Sequence, residues 1–139
     1  MKLKIFVSFM LLGVAAFAGT TPNAAVLKTF NEKFPTATDV KWGIENKTEY
    51  EADFKLDGKS LSANFNDDGT WLVTESGVSP KELPVALGEY LNKNMPGAEI
   101  KETAKLDLPG GLVNYEIEIK GADYIFDADG KFIKKSEDD

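Results

Sequence analysis

The chain repeats itself, and that repetition limits what it can fold into more than any other feature. FNDDGTW (Phe65–Trp71) returns as FDADGKF (Phe126–Phe132), 61 residues later. Val26–Pro35 aligns with Leu87–Pro96 at the same offset, so Phe30 meets Leu91, Phe34 meets Met95 and Pro35 meets Pro96. YEADFK (Tyr50–Lys55) meets YEIEIK (Tyr115–Lys120) at an offset of 65. An insertion in one loop and a deletion in the next would give that series. A whole supersecondary unit is therefore expected twice, over about 20–78 and 79–135.

Each unit opens with a helical pattern. Thr21-Pro22 is expected to supply a cap and a first-turn proline, after which Val26, Leu27, Phe30 and Phe34 share one face. In the second unit SPKE (Ser79–Glu82) reads as a capping box, and Pro84 separates it from a helix carrying Leu87, Leu91 and Met95. Both helices should stop before a proline, Pro35 or Pro96, because the residue before proline is driven out of the helical region.

Strand patterns follow. In Val40–Ile44 the apolar residues alternate. Tyr50, Ala52, Phe54 and Leu56 oppose Glu51, Asp53 and Lys55, and Asp57-Gly58 signals a hairpin into Leu61, Ala63 and Phe65. Val113, Tyr115, Ile117 and Ile119 oppose Asn114, Glu116, Glu118 and Lys120. Strict alternation describes an antiparallel sheet with one covered and one solvated face. The expected fold is α+β: two tandem helix-plus-antiparallel-strand repeats that share one antiparallel sheet, with the helices on one face.

The N-terminus reads differently. Lys2 and Lys4 precede an apolar run, Ile5–Phe17, that ends in Ala16-Phe17-Ala18. This is the pattern of a secretory signal peptide over 1–18, leaving 19–139 as one exported domain in the periplasm or outside the cell. The run is shorter than the ~20 residues that span a bilayer. No membrane insertion is expected after cleavage. Without cysteine the exported chain cannot use disulfides or a lipid-bearing cysteine, so it must rely on its apolar core. Losing Lys2 and Lys4 leaves 14 lysines against 23 acids and a net charge of −9, with no arginine. Nucleic acid is an excluded partner for such a chain.

The arrangement F…FP…V.W, Y…F, F..DG.W..TE, with LP before the second helix and PG..I after it, resembles the PepSY-like family of β-lactamase-inhibitor-like bacterial envelope proteins. The resemblance runs over the whole exported chain and rests on core and turn residues. It implies a non-enzymatic, inhibitor-like binding role and brings no catalytic residues with it.

The residues themselves are poor in catalytic equipment. Histidine and cysteine are missing, and no G-x-S-x-G elbow occurs. Glu51, Asp53, Glu116 and Glu118 read as a solvated strand face, and no enzyme activity, cofactor or metal is expected. A calcium loop is nearly matched by Asn64, Asn66, Asp68, Gly69 and Glu75, but asparagine stands where the first aspartate belongs. The second copy fails at both ends, with Ile125 and Ser136. Two hairpin turns are therefore expected, and a small-ligand or calcium-binding role is the alternative. Trp42 and Trp71 fall at core positions, and KKSEDD from Lys134 reads as a frayed tail. The partner expected is a protein or peptide of the cell envelope. It would dock on the polar sheet face through Lys41, Glu51, Asp53, Lys55, Glu116, Glu118 and Lys120, or on the neighbouring loops.

Overall fold

Asn23 starts the first helix. A computed structural model of the protein describes residues 19–137, so the signal-peptide segment 1–18 and the last two tail residues fall outside the described residues. Helix α1 spans Ala24–Lys33, and its Val26 N–H donates to Asn23 Oδ1 at 3.1 Å. The Asn23 amide also donates to the Asp67 carbonyl at 2.7 Å. The Thr21-Pro22 cap expected from sequence is thus displaced by two residues. Asparagine is the better cap, and Pro22 lies before it, buried. The second helix begins as expected: Ser79 N–H donates to Glu82 Oε2 at 2.7 Å, a 3-10 turn runs Pro80–Glu82, and α2 follows at Val85–Asn94. Both helices end one residue before an X-Pro step, at Phe34-Pro35 and Met95-Pro96.

Eight strands form one antiparallel sheet in sequence order: β1 Thr38–Asn46, β2 Glu49–Leu56, β3 Lys59–Asn66, β4 Trp71–Gly77, β5 Ile100–Leu108, β6 Leu112–Ile119, β7 Ala122–Asp127 and β8 Phe132–Glu137. Helix α1 precedes β1 and α2 precedes β5. The pairing Phe54↔Leu61↔Ser76↔Lys105↔Tyr115↔Phe126 places these residues on one face. Both helices pack there. Val26, Phe30 and Phe34 bury against Ala52, Phe54 and Phe65, and Leu87 and Leu91 bury against Ile117, Ile119 and Phe126. Phe30 is the hub of the first cluster, with ring centroids 5.0 Å from Trp42, 5.2 Å from Phe54 and 6.1 Å from Phe65. Burying one such ring stabilises by about 1.5–3 kcal/mol. Trp71 also faces this side, with the Lys33 ammonium 3.6 Å above its ring and its Nε1 donating to Thr74 Oγ1 at 2.9 Å.

The twin DG segments are turns on which the helices rest. Gly69 N–H donates to Asn66 O at 2.9 Å, and Gly130 N–H to Asp127 O at 3.1 Å. Both glycines have positive φ, +88° and +81°. A Cβ on Gly69 would lie 2.8 Å from Ala25 O, and one on Gly130 would lie 2.6 Å from the Ala86 carbonyl carbon. The motif keeps its glycine because a helix backbone passes directly over it.

Bulges bend the sheet. Phe65 pairs with Trp71 but Asn64 with Val73, leaving Leu72 extra, and Ile125/Phe126 against β8 is irregular in the same way. Bulges add bend and local twist to a sheet that already twists strand by strand. The face away from the helices shows the consequence. It holds a third apolar cluster, Val73, Leu106 and Ile125, buried beneath no helix and backed by Leu72 and Leu108. The open face therefore has a buried apolar centre.

Candidate functional site on the open sheet face

Strand register fixes which side chains line the open face. From β1 and β2 come Lys41, Glu51, Asp53 and Lys55, since Lys41 pairs with Asp53 and Gly43 with Glu51. Strand β3 adds Ser62 and Asn64, and β4 adds Glu75, which pairs with Ser62. Strands β5, β6 and β7 add Glu102, Glu116, Glu118 and Asp123 through the pairings Glu102↔Glu118 and Glu118↔Asp123. The result is a floor of carboxyl groups around a small apolar centre.

The sequence reading placed Glu51, Asp53, Glu116 and Glu118 on a solvated face. The structure corrects that. Glu116 is 3% exposed, and Glu51, Asp53 and Glu118 are half-buried. Neighbours on the same face shield them: Glu116 stands between Ala104 and Ile125, both buried. Lys41 and Lys55 are exposed as expected, on the edge strand and its neighbour, with Lys55 Nζ 3.6 Å from Asp39 Oδ2. Lys120 does not belong to the face. It lies one residue beyond β6, in a turn with φ +54°, and lines a hollow of about 630 Å³ with Met95, Tyr124 and Lys135.

Three carboxylates absent from the docking residues expected from sequence also line the face or border it. Glu75 is 4% exposed and its Oε1 has no hydrogen-bond partner. Asp123 is 9% exposed. Glu102 is half-buried, with its Oε2 shielded and unbonded. Alternation in ADYIFD could have flagged Asp123, which opposes the apolar Ala122, Tyr124 and Phe126. Glu75 was visible only as the last position of an imperfect calcium loop, and the bulge at Leu72 hides the phase of its strand.

Burial and crowding hold protons on this floor. Glu75 is pushed up to about 8, first by desolvation and then by the charges of Asp123, Glu102 and Asp53. Glu51 is pushed up to about 9 by desolvation, then by a hydrogen bond with Glu45 and the charges of Asp53, Glu45 and Glu75. Asp53 is raised by burial, opposed by a hydrogen bond from Glu51 and by Lys41. Glu102 is raised by burial and then by Glu118. Desolvation leads in all four, and like charges add to it at Glu75, Glu51 and Glu102.

The calcium-like positions are spent otherwise. Asp68 Oδ1 accepts from Thr70 N–H at 2.8 Å, and that bond lowers its pKa. Asp127 Oδ1 accepts from the N–H groups of Asp129 and Lys131, both at 2.9 Å. Asn64 donates to Glu49 Oε1 at 3.0 Å. Millimolar calcium is therefore expected to leave the melting temperature unchanged. A site filled to a hundred times its Kd would add about 2.7 kcal/mol. A rise of several degrees in calcium but not in magnesium would make Asn64, Asn66, Asp68 and Glu75 ligands instead.

The geometry defines a class: an α+β protein whose curved eight-stranded antiparallel sheet carries two helices on one face and leaves the other open. The chain belongs to the PepSY-like family, described as "putative beta-lactamase-inhibitor-like, PepSY-like", whose sequence profile matches residues 48–134. Solved structures share the fold. A DUF2874 family protein from Bacteroides ovatus is 21% identical with a TM-score of 0.75, over 85% of this chain and 89% of that one. A protein from Bacteroides eggerthii, described as a "putative periplasmic" protein, is 18% identical with a TM-score of 0.73, over 84% and 89%. A BLIP-like protein from Bacteroides fragilis is 21% identical with a TM-score of 0.67, over 86% and 88%. A search of curated proteins gives no match.

Proposed function

We propose that this is a non-enzymatic binding protein of the bacterial envelope, inhibitor-like in role, that docks a protein or peptide on its open sheet face and bordering loops. The observation that carries the reading is Glu75, buried with an unserved oxygen on the sheet face that, among the described residues, neither helix packs against. A fold seldom keeps buried acids on an uncovered surface for stability, since unpaired buried charge is costly. Family membership supports an inhibitor-like role, and the description of the Bacteroides eggerthii neighbour supports the periplasm. The chain has no histidine or cysteine with which to run common acid–base or thiol chemistry.

We further read the chain as two copies of one helix-and-four-strand unit. Supporting this, the contacts Gly69–Ala25 and Gly130–Ala86 are related by 61 residues at both ends, as are the two turn hydrogen bonds.

The test is capture of a partner from bacterial envelope extract, followed by simultaneous Glu51→Lys, Asp53→Lys and Glu118→Lys substitution. These residues are half-buried, so the protein can fold with them changed, whereas Glu116 is too deep to reverse. Capture is expected to weaken at least about tenfold, since charges at an interface govern association and register. Undiminished capture by a folded triple variant would move the site to the loops.

A further inference from the structure

We propose that the carboxyl floor around Glu75 is the seat of a cationic side chain, an arginine or lysine borne on a protruding segment of the partner. This rests on the docking reading above and supplies the chemistry of its occupant.

Two carboxyl oxygens of the floor have no donor. Glu75 Oε1 and Glu102 Oε2 are shielded from solvent without a hydrogen-bond partner. Buried polar atoms in folded proteins are almost always served, so an unserved pair on an uncovered face marks a place completed from outside. The groups acting on Glu75 are Asp53 from β2, Glu102 from β5, Asp123 from β7 and, beside Asp53, Glu51. Strand β6 adds Glu116 and Glu118, and β3 adds the neutral Ser62 and Asn64, the latter already donating to Glu49. Lys41 and Lys55 stand on β1 and β2, toward one edge of the sheet. What would satisfy such a surface is a group made of donors alone.

A guanidinium has five donors and no acceptor, and its planar fork can bridge two carboxylates. An ammonium supplies three donors. A divalent ion fits less well, because no three acidic groups among the described residues converge on one point. The chain's net charge of −7 would steer such a partner in. Since burial and its neighbours hold Glu75 up to about 8, a cation that draws out the ionised form must release a proton. Affinity should therefore fall by up to about tenfold per pH unit as pH drops below that value.

The experiment titrates the protein at pH 7.5 with a capped Gly-Arg-Gly peptide and with its neutral isostere, capped Gly-citrulline-Gly, while following side-chain carboxyl carbons by NMR. The arginine peptide is expected to move the Glu75 carboxyl resonance and the citrulline peptide to leave it in place. Glu75→Gln should weaken arginine-peptide binding at least about thirtyfold, as when a buried charge partner is removed. Equal effects of the two peptides, no movement at Glu75, or movement with calcium alone would each overturn the proposal. If it falls while the Glu51, Asp53 and Glu118 triple variant still loses its captured partner, the docking reading stands and only the occupant's chemistry is wrong. If the triple variant also keeps its partner, both are wrong.

Discussion

Glu75→Gln should melt at a higher temperature than the parent protein at pH 8, although it alters a buried side chain. Glu75 is 4% exposed and its pKa is raised from the ordinary 4.5 to about 8. A raised acid keeps its proton when folded and loses it when unfolded. Its contribution to stability is complete below the unfolded value, declines as pH rises above 4.5, and is lost once pH passes the folded value. The decline is at most about 1.4 kcal/mol per pH unit for each such group. Glutamine has no proton to lose and escapes it. Its new amide donors also meet a neighbourhood of acceptors. Allowing for imperfect packing, a gain of about 2 kcal/mol at pH 8, or roughly 5 °C, is expected. The advantage should vanish near pH 4, where both side chains are neutral. Glu51, raised to about 9, adds a second decline over the same range, so the parent should lose stability steadily from pH 5 to pH 8. Asp68 and Glu82 act in the opposite sense: their lowered values contribute stability that is lost only in acid, below that range. Thermal melts of parent and variant from pH 4 to pH 9 decide the matter. A variant less stable than the parent at pH 8 would mean that Glu75 is ionised and well served when folded.

Gly130→Ala is expected to cost far more than its size implies. Its φ of +81° alone makes an alanine there unfavourable by about 1–2 kcal/mol. The added Cβ would also stand 2.6 Å from the Ala86 carbonyl carbon and 2.7 Å from Leu87 N, so α2 would have to lift from the sheet. Leu87 is fully buried beneath it, and displacing the helix opens that core. A loss of about 3 kcal/mol or more follows, a large share of the 5–15 kcal/mol typical of a folded domain. Gly69→Ala should behave alike through Ala25. Gly58→Ala is the control: φ is +79° but nothing lies within 4 Å of the added carbon. Urea unfolding of the three variants separates conformation from contact. Equal losses at Gly58 and Gly130 would show that the helix is not seated on the turn.

Much of this architecture was legible in the sequence because it rests on local rules. Alternation in Tyr50–Leu56 and Val113–Ile119 gave the strand faces, Pro84 and Pro96 bounded the second helix, and the DG segments were turns. The first helix cap was misplaced because two polar candidates flank Pro22, Thr21 and Asn23, and the contact from Asn23 to Asp67 is long-range. The functional face was legible only in part. Alternation says which residues share a face but not which neighbours shield them, and that shielding decides whether Glu116 is wet or buried. Glu75 was hidden by the bulge at Leu72, and Glu102 by a second irregularity between Ile100 and Glu102. Lys120 was carried one residue too far along β6, into a turn that the pattern of charges does not reveal.

If a partner docks on the open sheet face as proposed, it must displace protons that Glu75 and Glu51 hold there. The most direct test is a carboxyl-carbon NMR titration of the free protein, with Glu75 and Glu51 assigned through their glutamine variants. The account predicts midpoints of about 8 for Glu75 and about 9 for Glu51. Midpoints for both near the ordinary 4.5 would contradict it, and would mean that the open face is solvated as its alternating sequence first implied.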